Sequence, residues 1–326
     1  CENRFLRMNE VEEAINTTIS YISCLVSTTE ESKTSCYNSY DGLTCGLAIC
    51  VFFTAYSFIW SLIGNNCSKV DQIWSITPVV YSWHFFYHYY SVTKGEIHYR
   101  LLLVSSLISV WGIRLTYNFW RKGGYGNLIQ HEEDYRWPII RKKMNSFLFL
   151  IFNFSFIACY QNLLLFLIAV PTYEIMKQSS TVTSFDYMWS IVFLILFSIE
   201  VIADEQQWIF QTKKYSLSPA ERLKHENIEI REGFLQSGLF CYSRHPNYFG
   251  EQALWVCVYL FSTTFVDSSG LLVFQAYNWT LSGCIQLLLL FQGSMNFSES
   301  ISADKYPEYK RYQKTTSQCI PFFPSK

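Results

Sequence analysis

The chain is short of charge. Only 16% of its 326 residues are Asp, Glu, Lys or Arg, against about a quarter in ordinary soluble domains, which leaves too little water-facing side chain for a soluble globule of this length. Neither sign is in excess: 25 Lys and Arg against 26 Asp and Glu leave a net charge of −1, which excludes a generally basic nucleic-acid binder. Proline and glycine are sparse, at 8 and 14 residues, and no low-complexity tract breaks the chain, so disorder over most of it is excluded as well. No repeat of solenoid length is visible. The eleven cysteines are scattered with no C-x-x-C pair, so neither a disulfide framework nor a zinc site is readable, and most read as small core hydrophobes. Six histidines, dispersed along the chain, are too few for a histidine-rich di-iron oxygenase. His84 and His88, one helical turn apart, therefore read as a packed pair and not as metal ligands.

What the chain has instead is apolar and aromatic mass. Half of it is hydrophobic and 18% aromatic, with a mean hydropathy of +0.11. Seven stretches, near 43–63, 73–92, 101–120, 146–170, 186–204, 247–267 and 270–294, are long enough to cross a bilayer core, which takes about 20 helical residues. The expected fold is an all-α, polytopic transmembrane helical bundle of about seven spans. Most Lys and Arg fall in the connections after spans one, three and five and in the tail, among them Arg136, Arg141, Lys142 and Lys143. The connections after spans two, four and six carry Lys94, Arg100 and Lys177. This asymmetry places the C-terminus in the cytoplasm and, with seven spans, the N-terminus in the lumen. Residues 1–42 read as a polar, flexible segment with no signal-peptide run; they include an Asn16-Thr17-Thr18 glycosylation triplet. The start at Cys1 and not at Met fits an incomplete gene product.

Polar groups within or beside such spans are costly and mark functional candidates. The richest stretch runs from Gly238 to Glu251 at the start of span six. Pro246 suits a first helical turn, Arg244 and His245 stand just outside it, and Asn247 and Glu251 share a helical face. A cluster at the positive end of a helix suits an anionic or phosphate-bearing ligand; the plainer reading is an interfacial anchor of Arg and Tyr at headgroup depth. Glu200 and Asp204 close span five one turn apart, as an interior polar pair or simply as the helix end. Arg114 lies inside span three, where it needs an acid or a phosphate.

Several motifs in order, Val70-Asp71-Gln72-Ile73-Trp74 through Pro78, Trp111 to Asn118, Glu133 to Trp137, Asp204 to Gln207, Tyr242 to Glu251 and Tyr306 to Tyr312 with Ile320-Pro321, resemble the DUF1295 membrane proteins over about residues 68–322. That family sits in the steroid 5-alpha-reductase-like superfamily, whose C-terminal region is similar to those of sterol delta-14 reductases and isoprenylcysteine carboxyl methyltransferases. The resemblance implies a cofactor-binding C-terminal half (about 186–322) within a domain spanning 43–326. In the steroid reductases the cofactor is NADPH. Their Asn-Tyr/Phe-x-Gly-Glu motif corresponds to Asn247, Tyr248, Phe249, Gly250 and Glu251 here, and gives Asn247 a cofactor contact. Their Asn-x-x-x-Asp pair corresponds to Glu200 and Asp204, with only the Asp retained. Their last helix supplies Arg, His and Tyr; between Phe291 and Ser300 this chain has none of these and offers Glu299. The methyltransferases share Arg-His-Pro-x-Tyr-x-Gly, met by Arg244 to Gly250, and use a downstream acid, for which Glu299 stands, to hold S-adenosylmethionine.

The resemblance therefore implies an NADPH-dependent reductase of a carbon–carbon double bond in a lipophilic substrate, in an endoplasmic-reticulum-type membrane. The cofactor residues are Asp204, Arg244, His245, Asn247, Tyr248, Glu251, Arg114 and Glu299, with the two arginines on phosphate. Reduction also needs an acid, and Asp71 and the phenol of Tyr117, or of Tyr81, are the candidates. The alternatives are an S-adenosylmethionine-dependent membrane methyltransferase and a non-catalytic membrane protein on the same fold. Oligomeric state is not readable from the sequence.

Overall fold

The computed structural model describes residues 2–27, 30–126, 133–267 and 269–325. The architecture is all-helical. Among the described residues the only strands are Thr264–Val266 and Leu272–Phe274, an antiparallel hairpin with Phe265 opposite Val273. Four helices among the described residues are long and apolar enough to cross a membrane: Gly42–Gly64, Tyr99–Arg121, Ser146–Met176 and Ser184–Ser216. The other three expected spans fall on Thr77–Val92, Pro246–Thr263 and Leu281–Lys305.

Local chemistry moved several boundaries. The expected span 73–92 begins at Thr77, after a separate short helix Lys69–Ile73; Pro78 stands in the first turn of the span, where its missing N–H costs nothing. The expected span 270–294 begins only at Leu281. Before it, the Asn278 side chain accepts hydrogen bonds from the Thr280 backbone at 3.1 Å and hydroxyl at 2.6 Å, fixing the turn into the helix. The fifth span continues to Ser216. The N-terminal segment is helical over Glu2–Ser27 and Glu30–Ser39. Its cysteines are not all lone hydrophobes: Cys24 and Cys36 form a disulfide, and Tyr21 is buried against Cys36 and Cys45.

The chain forms two compact units, one of Cys1–Asp186 and Phe261–Gly283, the other of Tyr187–Leu260 and Cys284–Lys326. In the first, helices approach through small residues, as expected where lipid gives no hydrophobic drive to association. A Cβ on Gly112 would lie 2.7 Å from the Ser75 carbonyl, and one on Gly46 2.9 Å from the Phe166 ring. Side-chain amides add polar ties, Asn153 to the Ser61 hydroxyl at 2.8 Å and Asn162 to that of Ser57 at 2.9 Å. Between these two residues the helix widens to π geometry over Asn153–Tyr160. The sequence pair His84 and His88 is packed and hydrogen-bonded, to the carbonyls of Gly42 at 2.9 Å and Tyr40 at 3.0 Å.

The deepest charge in this unit is Arg100, fully buried. Its Nε donates to both Asp186 oxygens at 2.9 and 3.0 Å, Nη1 to Gln178 at 2.9 Å, and Nη2 to the carbonyls of Phe261, at 2.8 Å, and Thr264. Removing one partner strands the other without solvation. Arg100→Met is expected to cost about 3–5 kcal/mol, read as a large drop in melting temperature in detergent. Arg100→Met combined with Asp186→Leu should recover part of that loss, because no buried charge is then left alone.

Candidate functional site

Seven of the proposed cofactor residues lie in the second unit. Asp204 is on the Ser184–Ser216 helix. Arg244 and His245 immediately precede Pro246–Thr263, which carries Asn247, Tyr248 and Glu251, and Glu299 is on Leu281–Lys305. The eighth, Arg114, and the two catalytic candidates Asp71 and Tyr117 belong to the first unit.

Arg244, His245 and Glu299 are brought together. Arg244 forms a bidentate pair with the Glu299 carboxylate at 2.7 and 2.9 Å, and His245 Nε2 donates to the same carboxylate at 3.0 Å. The Gln313 amide adds a fourth donor at 2.9 Å. Burial alone would raise the Glu299 carboxyl, but the hydrogen bonds from His245, Arg244 and Gln313 outweigh it and hold it down to about 2. Arg244 also donates through Nη1 to the carbonyls of Gln313, at 3.0 Å, and Thr316, so most of its five N–H groups are occupied by protein. The backbone continues the tie: the N–H groups of Arg244 and His245 donate to Ser317 at 2.8 Å and Gln318 at 3.1 Å, and that of Phe322 to Tyr242 at 2.9 Å. The His245 ring stacks on Tyr248 with centroids 5.3 Å apart, and Tyr248 meets Phe291 edge-on.

The second grouping is built on Asp204. Its carboxylate accepts from the Asn247 amide at 3.1 Å. One turn earlier Glu200 is buried against Gly250, where a Cβ would come within 2.9 Å of the Glu200 Cβ, so glycine is what lets the two helices close on each other. Glu251 is buried and accepts from Trp255 Nε1 at 3.1 Å, within its own helix.

Sequence reasoning missed two members of this face. Glu200, Asp204, Gln207 and Gln211 recur at the spacing of one helical stripe, and the side-chain oxygens of Gln207 and Gln211 are buried with no hydrogen-bond partner. The signal was present as polar residues at i, i+4, i+7 and i+11 in an apolar helix. Lys214 continues the stripe, donating to the Gly233 carbonyl at 3.0 Å.

In the first unit, Asp71 accepts from Trp137 Nε1 at 3.1 Å. Burial, and then the neighbouring Asp134 carboxylate, push its carboxyl above the ordinary range. Tyr117 is 54% exposed, with the Arg121 guanidinium 5.6 Å from its ring. Tyr81 is fully buried.

The donor set can be tested against the cofactors that the sequence implied. Buried carboxamide oxygens need O–H or N–H donors, which the ribose hydroxyls and amide of NADPH, or the ribose and ammonium of S-adenosylmethionine, provide. The Asp204–Gln211 face with Asn247 thus fits a nucleoside-bearing group. Arg244, balanced by Glu299, does not present an unpaired charge to a phosphate.

These features define an all-α membrane protein with a polar, motif-bearing site in its second unit. The chain belongs to the DUF1295 family, described as a protein of unknown function, which it matches over residues 57–316. It is similar to the uncharacterized protein C594.04c of Schizosaccharomyces pombe, 34% identical over 269 residues that cover 81% of this chain and 74% of that protein. No solved structure matches it.

Because the Glu299 carboxyl is depressed from 4.5 to about 2, its contribution to stability is complete above about pH 4.5 and is lost as pH falls toward 2. That step amounts to roughly 3 kcal/mol. Melting curves across this range should show the decline in the native protein and a shallower one in Glu299→Gln.

Proposed function

We propose that this chain is a membrane-embedded reductase that uses NADPH to reduce a carbon–carbon double bond of a lipophilic substrate. The observation that carries this reading is the polar face of Asp204, Gln207 and Gln211 on an apolar helix, tied to Asn247 of the motif at 3.1 Å and holding two buried acceptors that lack donors. NADPH, when bound, supplies the hydride. Asp204 fixes the direction of the Asn247 amide, and the two glutamine oxygens would accept from hydroxyl or amide donors of the cofactor. Arg244 and His245 act through Glu299, as positioning residues that hold the motif to the C-terminal tail. Completing the reduction also takes a proton, delivered by an acid.

A second reading, S-adenosylmethionine-dependent methyl transfer, is favoured by one contact: Glu299 bonds to both Arg244 and His245 of the shared motif. It asks for little beyond alignment and exclusion of water. In either case the Cys24–Cys36 disulfide supports an oxidising, lumenal compartment for the N-terminus. The basic connections support a cytoplasmic C-terminus, in an endoplasmic-reticulum-type membrane.

Thermal melts of detergent-purified protein with NADPH and, separately, S-adenosylmethionine test the proposal. At about 100 times its dissociation constant NADPH should add roughly 2.7 kcal/mol, and Asn247→Ala, Asp204→Ala and the Gln207→Leu/Gln211→Leu double variant should each abolish the shift. Stabilisation by S-adenosylmethionine alone would replace reduction with methyl transfer. A cooperative melt moved by neither cofactor would point to a non-catalytic membrane protein.

A further inference from the structure

A cavity of about 330 Å³ lies in the first unit, among residues that the proposed reduction does not use. It opens where the Gly42–Gly64 helix ends and the Ser146–Met176 helix begins. Both helices are of membrane-crossing length, so their ends stand at headgroup depth. Its polar wall carries Ser61, Cys67, Arg141 and Asn153, and its apolar wall includes Leu62 and Phe149.

Two polar atoms there have no partner. Asn153 is only 3% exposed; its amide N–H donates to Ser61, while its Oδ1 accepts nothing. Ser61 cannot serve it, because that hydroxyl donates to the Phe58 carbonyl at 2.7 Å. Across the lining, Arg141 Nε is a buried donor with no acceptor. A buried polar atom left unmade costs about 1–3 kcal/mol, so a group that both donates and accepts suits this wall.

The charge at the site is already settled. Arg141 is paired with Glu133 through two contacts, at 2.6 and 3.1 Å, and among the described residues no unbalanced cation lines the cavity for a phosphate or carboxylate. The volume is about ten times the share of one water, near 30 Å³. The neighbouring Leu62, 49% exposed, offers apolar surface to a hydrocarbon tail.

We propose that this cavity holds the free hydroxyl of an uncharged membrane lipid, the O–H donating to Asn153 Oδ1 and the oxygen accepting from Arg141 Nε, with the hydrocarbon lying against Leu62 and Phe149. Both a sterol and a diacylglycerol carry this chemistry, and either source satisfies it.

The test uses the full chain in detergent micelles and a photoactivatable diazirine analogue of hexadecanol, with labelling mapped by peptide mass spectrometry. Labelling should fall on the Gly42–Gly64 and Ser146–Met176 helices. It should drop at least tenfold for the methyl ether of the probe, which lacks the donating hydrogen, and likewise in Asn153→Leu. Leu62→Trp, on the exposed mouth, should block labelling as well. Both variants must keep the native melting temperature within a few degrees; if Asn153→Leu does not, Leu62→Trp and the methyl ether decide. Competition by cholesterol or by a diacylglycerol identifies the source. Equal labelling by the methyl ether, stronger labelling by the corresponding alkyl phosphate, or competition by neither lipid would overturn the proposal. None of these readouts depends on NADPH, so failure of the reductase reading leaves them untouched.

Discussion

The second unit is organised by the pairing of Arg244 with Glu299. Taking either charge out of water is expensive, and the pair is worth keeping only if its remaining donors and acceptors are filled. Here they are: His245 and Gln313 complete the carboxylate, and the carbonyls of Gln313 and Thr316 take the other guanidinium hydrogens. Those partners come from three separate stretches of chain. The pair thereby fixes the segment before Pro246, the Leu281–Lys305 helix and the C-terminal tail to one another, and backbone bonds from Arg244, His245 and Phe322 follow the same path. Asn247 lies in the first turn of the next helix, three residues after Arg244, and its position is inherited from that assembly.

A second constraint is steric. The Ser184–Ser216 helix serves two neighbours through two of its faces. On one, Gly250 admits Glu200 and Asn247 reaches Asp204. On the other, Gln206 accepts from the Leu239 backbone at 2.9 Å, beside Gly238, which adopts a φ of +64° and leaves no room for a Cβ against the Gln206 amide. Side chains at these two glycines would push the flanking segments off the helix. The polar stripe can exist inside an apolar helix because backbone from other segments comes this close.

Much of this was readable from the residues alone. The apolar runs located a helix for every expected span, and the Arg244-to-Glu251 motif was recognisable by its spacing. The rest depended on distant partners. The resemblance placed Glu299 at the same site as Arg244, but their direct pairing was not legible, because the acid lies far down the chain and its flanking serines carry no signal. The Cys24–Cys36 disulfide was hidden among scattered thiols. The hairpin at Thr264–Phe274 looks apolar enough to be helix, and only the Asn278 turn delays the helix start. Gln207 and Gln211 were visible as polar residues, but their interest lies in lacking donors, which is a property of packing.

The pairing at Arg244 also bears on where a dinucleotide's phosphates are met. A phosphate taking Arg244 would displace Glu299 from its bidentate contact and leave a buried carboxylate with only His245 and Gln313. Breaking such a pair by removing one partner costs several kcal/mol. The low Glu299 carboxyl rests on Arg244 itself as well as on His245 and Gln313, so an anion that took the guanidinium would also remove part of what stabilises the carboxylate. An anionic group therefore gains little at Arg244, whereas a neutral hydroxyl or amide donor at Gln207 and Gln211 meets oxygens that have no competing partner. In the reductase reading the recognition energy then comes from the nucleoside end, and the arginine of the motif contributes by keeping the surrounding segments in place.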